Sequence, residues 1–325
     1  MFRVLVLVLL AALAAQDPTP APPVVAPPSA KPIQPATPAK APEDAQPALV
    51  PGQLPADASE AARGAWTAMC AATSGEKPQP KVTSFDLHFD GRVRQLGDQG
   101  LHDLSDARYR YTEPGWISTI LSKGNERLRG PRGDWFIKDG AATKLQGIDY
   151  ENDTRELDDS VLVARTFVSL IDPRALRIRS LAVLAAPPFA LPAAMLEDAK
   201  KLTWLDVVSP DFERPNAKPT PDGKPVTKLV RAQIGIDPKT HLPQLAFVAQ
   251  DDRGTIVHDT ALLVKLANWR ALDGFQVPGM LLTYPPDFSR SPWTFGEQFS
   301  LKLGLREGTL RPKLVEQDFL PPEKR

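Results

Sequence analysis

The sequence predicts an α+β fold, with one large, curved antiparallel β-sheet carrying one or more helices. Three observations lead there. The stretch TSFDLHFD, residues 83–90, alternates Phe85, Leu87 and Phe89 against Ser84, Asp86, His88 and Asp90, as a half-buried strand does. Further short strands follow, separated by turn dipeptides such as Pro114-Gly115 and Asp139-Gly140, which implies an antiparallel meander rather than βαβ units. Two segments, near residues 57–74 and 153–171, instead repeat their apolar residues at helical steps.

Taken from the N-terminus, the chain opens on a targeting segment. Arg3 supplies a positive charge, Val4 to Leu13 form an apolar run, and Ala12-Leu13-Ala14 offers the small residues of a cleavage site after Ala14. The run is shorter than the about 20 apolar residues that span a bilayer, with an uncleaved anchor as the alternative. Residues 15–56 are dominated by Pro, Ala and small polar side chains, as in PTPAPPVVAPPSAKP. Such a segment cannot bury enough apolar surface to order itself, and it reads as an extended tether. The expected division is therefore a signal peptide over 1–14, a tether over 15–56 and one domain over 57–325, placing the mature protein in the periplasm or otherwise outside the cytoplasm.

Within the domain, DASEAARGAWTAMCAAT sets Ala58, Ala62, Ala65, Trp66, Met69 and Ala72 near one helical face, with Asp57 or Ser59 as cap and Ser74-Gly75 as terminator. After the TSFDLHFD strand, LGDQGLHDLSD reads as a polar loop. ARYRYTE, WISTIL, ERLRG and DWFIKDG read as strands, the last closed by Asp139-Gly140. A second helix is expected from Asp153 to Ile171 on Leu157, Val161, Ala164, Phe167, Val168 and Ile171, stopped by Pro173. A short helix near Ala193 to Lys201 and a Pro-rich loop over 210–225 precede the closing strands. In KLVRAQIGID, Val230, Ala232, Ile234 and Ile236 alternate against Leu229, Arg231 and Gln233. QLAFVAQD, TIVHDTALLVKLANWRAL, FQVPGMLLTY and FSLKLGLRE follow.

Composition and motifs remove several classes of function. The chain has 39 basic and 39 acidic side chains, unlike the basic excess of a nucleic-acid-binding domain. Its 35 prolines are about twice the usual share. Cys70 has no second cysteine to pair with and reads as a small buried hydrophobe. No G-x-S-x-G elbow, H-E-x-x-H helix or phosphate-binding glycine loop is present. His88, His102, His241 and His258 lack a compact ligand spacing. Asp158-Asp159 and Asp251-Asp252 read as solvated pairs, and the aspartates of GDQGLHDLSD, Asp103 among them, lack calcium-loop spacing. Neither catalysis nor a cofactor is expected.

What stands out is apolar surface on strands. Phe85, Leu87, Phe89, Tyr109, Tyr111, Trp116, Ile120, Trp135, Ile137 and Phe247 are the candidates for one concave, ligand-facing surface. A core filled by the Trp66 and Phe167 helices accounts for the same pattern, because helices packed on a sheet bury that face anyway.

The succession FDLHFDGRVRQ, RYRYTEPGWISTIL, GDWFIKDGAATKL, a helix, then IDPKTHLPQLAFVAQDDRGTIV and WRALDGFQVPGMLLTY resembles the LolA/LolB-like superfamily of periplasmic lipoprotein carriers and lipid-binding proteins. Asp237, Thr240, Leu242 and Pro243 match its Asp-containing T-x-L-P-like turn, and Gly274 to Pro278 its later G-F-x-V-P. The resemblance covers roughly Asp57 to Arg325. It implies a half-open barrel with helices in its mouth, and an apolar cavity that receives an acyl chain, lipid or lipid-anchored ligand without chemistry. The chain departs from that pattern in its long tether, in the insertion near 210–225, and in lacking a recognisable membrane-targeting apolar loop. An envelope scaffold or protein-interaction module with a filled core is the alternative.

Overall fold

The computed structural model describes residues 49–322, apart from 76–78, 95–99, 114, 123–124, 146–147, 189, 211–228, 253–254 and 290–291. The expected signal peptide, most of the tether and the loop beyond Pro210 lie outside the described residues. The fold class is the one expected. Among the described residues, thirteen strands form one antiparallel sheet and three helices accompany it.

Helix α1, Glu60–Ser74, starts where Ser59 Oγ accepts the Ala62 N–H and stops at Gly75, whose φ is 72°. Both ends follow the capping chemistry legible in the sequence. Its buried side includes Ala62, Trp66, Met69 and Cys70. Cys70 is 4% exposed and packs as a hydrophobe, and burial pushes its thiol up to about 12.

A first meander comprises β1 (Ser84–Arg94), β2 (Leu101–Thr112), β3 (Trp116–Ser122), β4 (Asn125–Gly130), β5 (Gly133–Lys138) and β6 (Ala141–Lys144). Its last hairpin turns on Asp139 and Gly140, with φ of 49° and 84°, the two left-handed positions that a type I′ turn requires. The polar loop expected at LGDQGLHDLSD is mostly strand, because β2 already begins at Leu101. Residues 101–103 pair with Arg92, Val93 and Arg94 while their side chains stay exposed. Backbone pairing alone extends the hairpin arm there, and a polar sequence hides that.

The second meander comprises β7 (Ser180–Leu184), β8 (Thr203–Ser209), β9 (Leu229–Ile236), β10 (Pro243–Asp252), β11 (Thr255–Leu272) and β12 (Phe275–Tyr284), and β15 (Leu301–Leu310) joins the two halves. The strand order is β6-β5-β4-β3-β2-β1-β15-β12-β11-β10-β9-β8-β7. The sheet is open, with β6 and β7 at its edges. Helix α2, Ile148–Ile171, connects those two strands in sequence. The chain leaves the sheet at one edge and re-enters at the other, so α2 has to cross a face. It ends at Ile171, ahead of Pro173 as expected, and begins five residues before Asp153. Helix α3, Ala193–Ala199, links β7 to β8, and the two-stranded ladder of β13 (Pro286–Asp287) and β14 (Thr294–Phe295) follows β12.

Both faces of the sheet are apolar. On the helix-covered face, Trp66, Met69, Leu157, Val161 and Phe167 pack over Phe85, Leu87, Val207, Ala232, Val264 and Leu303 in one core. On the opposite face, Trp204, Phe247, Leu263, Trp293 and Phe295 form a second cluster. Leu128, Ile137 and Phe319 form a third, under the 3-10 turn Glu316–Phe319.

Candidate functional site

The side chains expected on one surface divide between two. Phe85, Leu87, Phe89, Tyr109 and Tyr111 come together under α2. Phe85 and Tyr111 are cross-strand partners with ring centroids 5.5 Å apart, and Phe89 meets Tyr109 edge-on at 5.8 Å. Phe167 of α2 stands edge-on against Phe85 at 5.5 Å. Trp116, Ile120, Trp135, Ile137 and Phe247 do not join them. Trp116 precedes Ile117, which belongs to the helix-covered core, and alternation sends Trp116 and Ile120 to the other side. There Trp116 lies 5.9 Å from Phe319, beside Trp135 and Ile137. Phe247 packs with Trp293 and Phe295 in the second cluster. Ten residues named for one concave surface therefore supply five to the floor under α2 and five to the reverse side.

The five-residue floor is closed. Its members are 1–7% exposed. Burial pushes the Tyr109 hydroxyl up to about 12 and raises that of Tyr111, with nearby Arg165 working against the shift on Tyr111. The packing matches the filled core that was the alternative reading of the sequence.

The floor nevertheless meets an open cleft. At the C-terminal end of α2, a cavity of about 390 Å³ is lined by Tyr111 of the floor, by Val168, Ser169 and Asp172, and by Leu176 beyond the helix. Lys81, Glu113, Arg165 and Arg177 supply charge around it. Lys81 and Glu113 pair at 2.7 Å across the rim. Asp172, at the end of α2, accepts the Val82 N–H at 3.0 Å and so ties the helix end to the approach of β1. Burial raises its carboxyl above the usual range, against the pull of that hydrogen bond and of Lys81, Arg174 and Arg311. Sequence reasoning missed this cleft. Its signal lay in polar residues around Pro173, which read only as a helix stop.

Ser169 is buried there, and among the described residues no histidine lines the cleft. Among the described residues, no three His, Cys, Asp or Glu side chains stand close enough to hold a metal ion. His88 stands 3.8 Å from Asp86 on the face away from α2. Among the same residues no helix is long and apolar enough to cross a membrane.

No family model and no curated protein matches this chain. Solved structures do. A domain from Vibrio parahaemolyticus named for outer membrane lipoprotein sorting is 12% identical over 80% of this chain and 96% of its own, with a TM-score of 0.38. A DUF1329 family protein from Desulfovibrio piger is 10% identical over 82% and 100% of the two chains, at 0.38. A LolA superfamily protein from Nitrosomonas europaea is 11% identical over 80% and 97%, at 0.37. The last of these carries the name of the superfamily that the sequence resembles. At such identities and scores they carry nothing about function, which has to come from the cleft and the faces themselves.

Proposed function

We propose that this protein is an exported, non-enzymatic binder of an amphiphile: a lipid, an acyl chain or a lipid-anchored ligand. The single domain of residues 57–325 would act outside the cytoplasm at the end of its tether, in transport or sensing. The cleft at the end of α2 is the entrance, and the floor of Phe85, Leu87, Phe89, Tyr109 and Tyr111 is the seat. The observation that carries this reading is that the cleft opens on Tyr111, a member of the floor. A polar head would rest among Lys81, Arg165 and Arg177, while an apolar tail slides between α2 and the sheet.

The energies are comparable on the two sides. Lifting the last turns of α2 exposes Phe167, Leu170 and Ile171, at about 1.5–3 kcal/mol for each buried side chain. An acyl chain recovers ~0.8 kcal/mol per methylene buried. A chain of about ten methylenes offsets that opening, and a short one does not. Long-chain amphiphiles should therefore bind, with an apparent affinity reduced by the scarcity of the open state.

The test is solvent extraction and mass spectrometry of the purified full chain, followed by titration with a fluorescent long-chain fatty acid. A co-purifying amphiphile and saturable binding are expected. Val168→Trp, which fills the half-buried wall of the cleft, should weaken binding about tenfold. No saturable binding by the wild-type chain would remove the reading, and unchanged binding by the variant would remove the entrance.

The near-zero exposure of the floor favours a second reading, an envelope scaffold whose sheet is only core. It predicts no bound amphiphile and a set of captured envelope proteins that changes when residues 16–55 are deleted.

A further inference from the structure

We propose a second binding site, on the face of the sheet away from α2, for a small organic anion with an apolar body. It lies between α3, the turn joining β9 to β10, and β11. The Trp204 indole N–H donates to the Ala199 carbonyl at 2.8 Å, fixing the end of α3 over the sheet. Gly235 lets Leu202 and Trp204 settle there, since a Cβ on it would come within 2.8 Å of Leu202 and 2.9 Å of Trp204. The resulting cavity, about 300 Å³, has Met195, Leu202 and Leu245 on its apolar side. That is the lower end of the range for small-ligand pockets.

Charge decides the ligand class. Three lysines, Lys201, Lys239 and Lys265, line the cavity with two acids, Asp198 and Asp237. Both acids are engaged. Asp198 holds Lys201 at 2.7 Å. Asp237 accepts the backbone N–H groups of Lys239 at 2.7 Å and Thr240 at 3.0 Å on one oxygen, and Gln244 Nε2 at 2.8 Å on the other. Its carboxylate thus belongs to the turn, and those bonds hold its carboxyl below the usual range. Among the described residues no acid forms an ion pair with Lys239 or Lys265, although Asp237 feels the Lys239 charge and Asp198 the Lys265 charge through space. Three ammonium groups against two carboxylates leave one net positive charge above an apolar wall, which matches a monocarboxylate or a phosphate monoester on a short hydrocarbon body. Inorganic phosphate would leave the apolar wall unused, and a neutral alcohol would leave the lysines unused.

The experiment is calorimetric titration of the full chain, at low salt, with octanoate, octyl phosphate, octanol and inorganic phosphate. The two octyl anions should bind saturably, with octanol and inorganic phosphate about tenfold weaker or more. Lys239→Gln with Lys265→Gln should lower octyl-anion affinity about tenfold, and near-ultraviolet circular dichroism should show an unchanged fold because both lysines are exposed. The stronger of the two anions identifies the head group. Val168→Trp should leave these affinities unchanged, which separates this site from the α2 cleft whether or not that cleft binds anything. No saturable heat with either octyl anion would overturn the proposal. So would an unaltered affinity in the double variant, or inorganic phosphate binding as tightly as octyl phosphate.

Discussion

One sheet, two apolar faces, and two ways of sealing them. The helix-covered face is closed by α1 and by the 24-residue α2, which packs against β3, β4 and β12. The reverse face is closed by short pieces: α3, the β13–β14 ladder and the turn that ends in Phe319. A short piece depends on one wedge. Phe319 is fully buried, and its backbone oxygen sits where a Cβ on Gly130 would lie 2.1 Å away. A long helix spreads its contacts over many side chains, and its last turns can lift while the rest stays docked. Moving one cover uncovers a continuous floor, and moving the other uncovers a hole.

The largest expected effect tests that difference directly. Phe319→Ala should lose about 3–5 kcal/mol of stability in urea or guanidinium unfolding, as fully buried aromatic deletions do. Phe167→Ala removes the same atoms from under α2. It should lose less, and it should bind the fluorescent fatty acid more tightly because the opened state becomes cheaper to reach. Equal losses, with no change in fatty-acid binding, would make the two covers alike and return α2 to ordinary core.

A smaller effect concerns the latch at the end of α2. Burial raises the Asp172 carboxyl in the folded chain above its unfolded value, so the folded state holds that proton more tightly. The resulting stability is full below the ordinary carboxylate range and is lost as pH rises through the raised value. Asp172→Asn can still accept the Val82 N–H and has no proton to lose. The stability of the wild-type chain relative to this variant should fall as pH climbs from acid toward neutral, measured by unfolding midpoints at a series of pH values. A flat difference would mean that the latch does not titrate there. The smallest effect is at the rim, where Lys81 and Glu113 are both about half exposed. Lys81→Ala should change stability by less than about 0.5 kcal/mol.

Much of this architecture was legible in residue order. Ser59, Gly75 and Pro173 bound their helices through local chemistry, and Asp139-Gly140 fixed a hairpin through its backbone requirements. The faces were harder to read. In β10, Leu245, Phe247 and Ala249 enter one cluster while Ala246 and Val248 enter the other. A strand buried on both sides has no polar alternation to orient it. That is why Phe247 and the Trp116 group were placed with the Phe85 floor. Strand β8 escaped notice for the same reason, TWLDVVS being buried almost throughout. Neither cleft could be read from the chain, because each is assembled from segments whose meeting depends on where α2 and α3 come to rest.

The position of β15 has a further consequence. This last long strand lies between β1 and β12 and pairs Leu310 with Phe85. The middle of the sheet therefore joins segments more than 200 residues apart, and neither meander completes its inner edge without β15. Such high contact order slows folding. Losing this strand would split the sheet down its centre instead of fraying an edge.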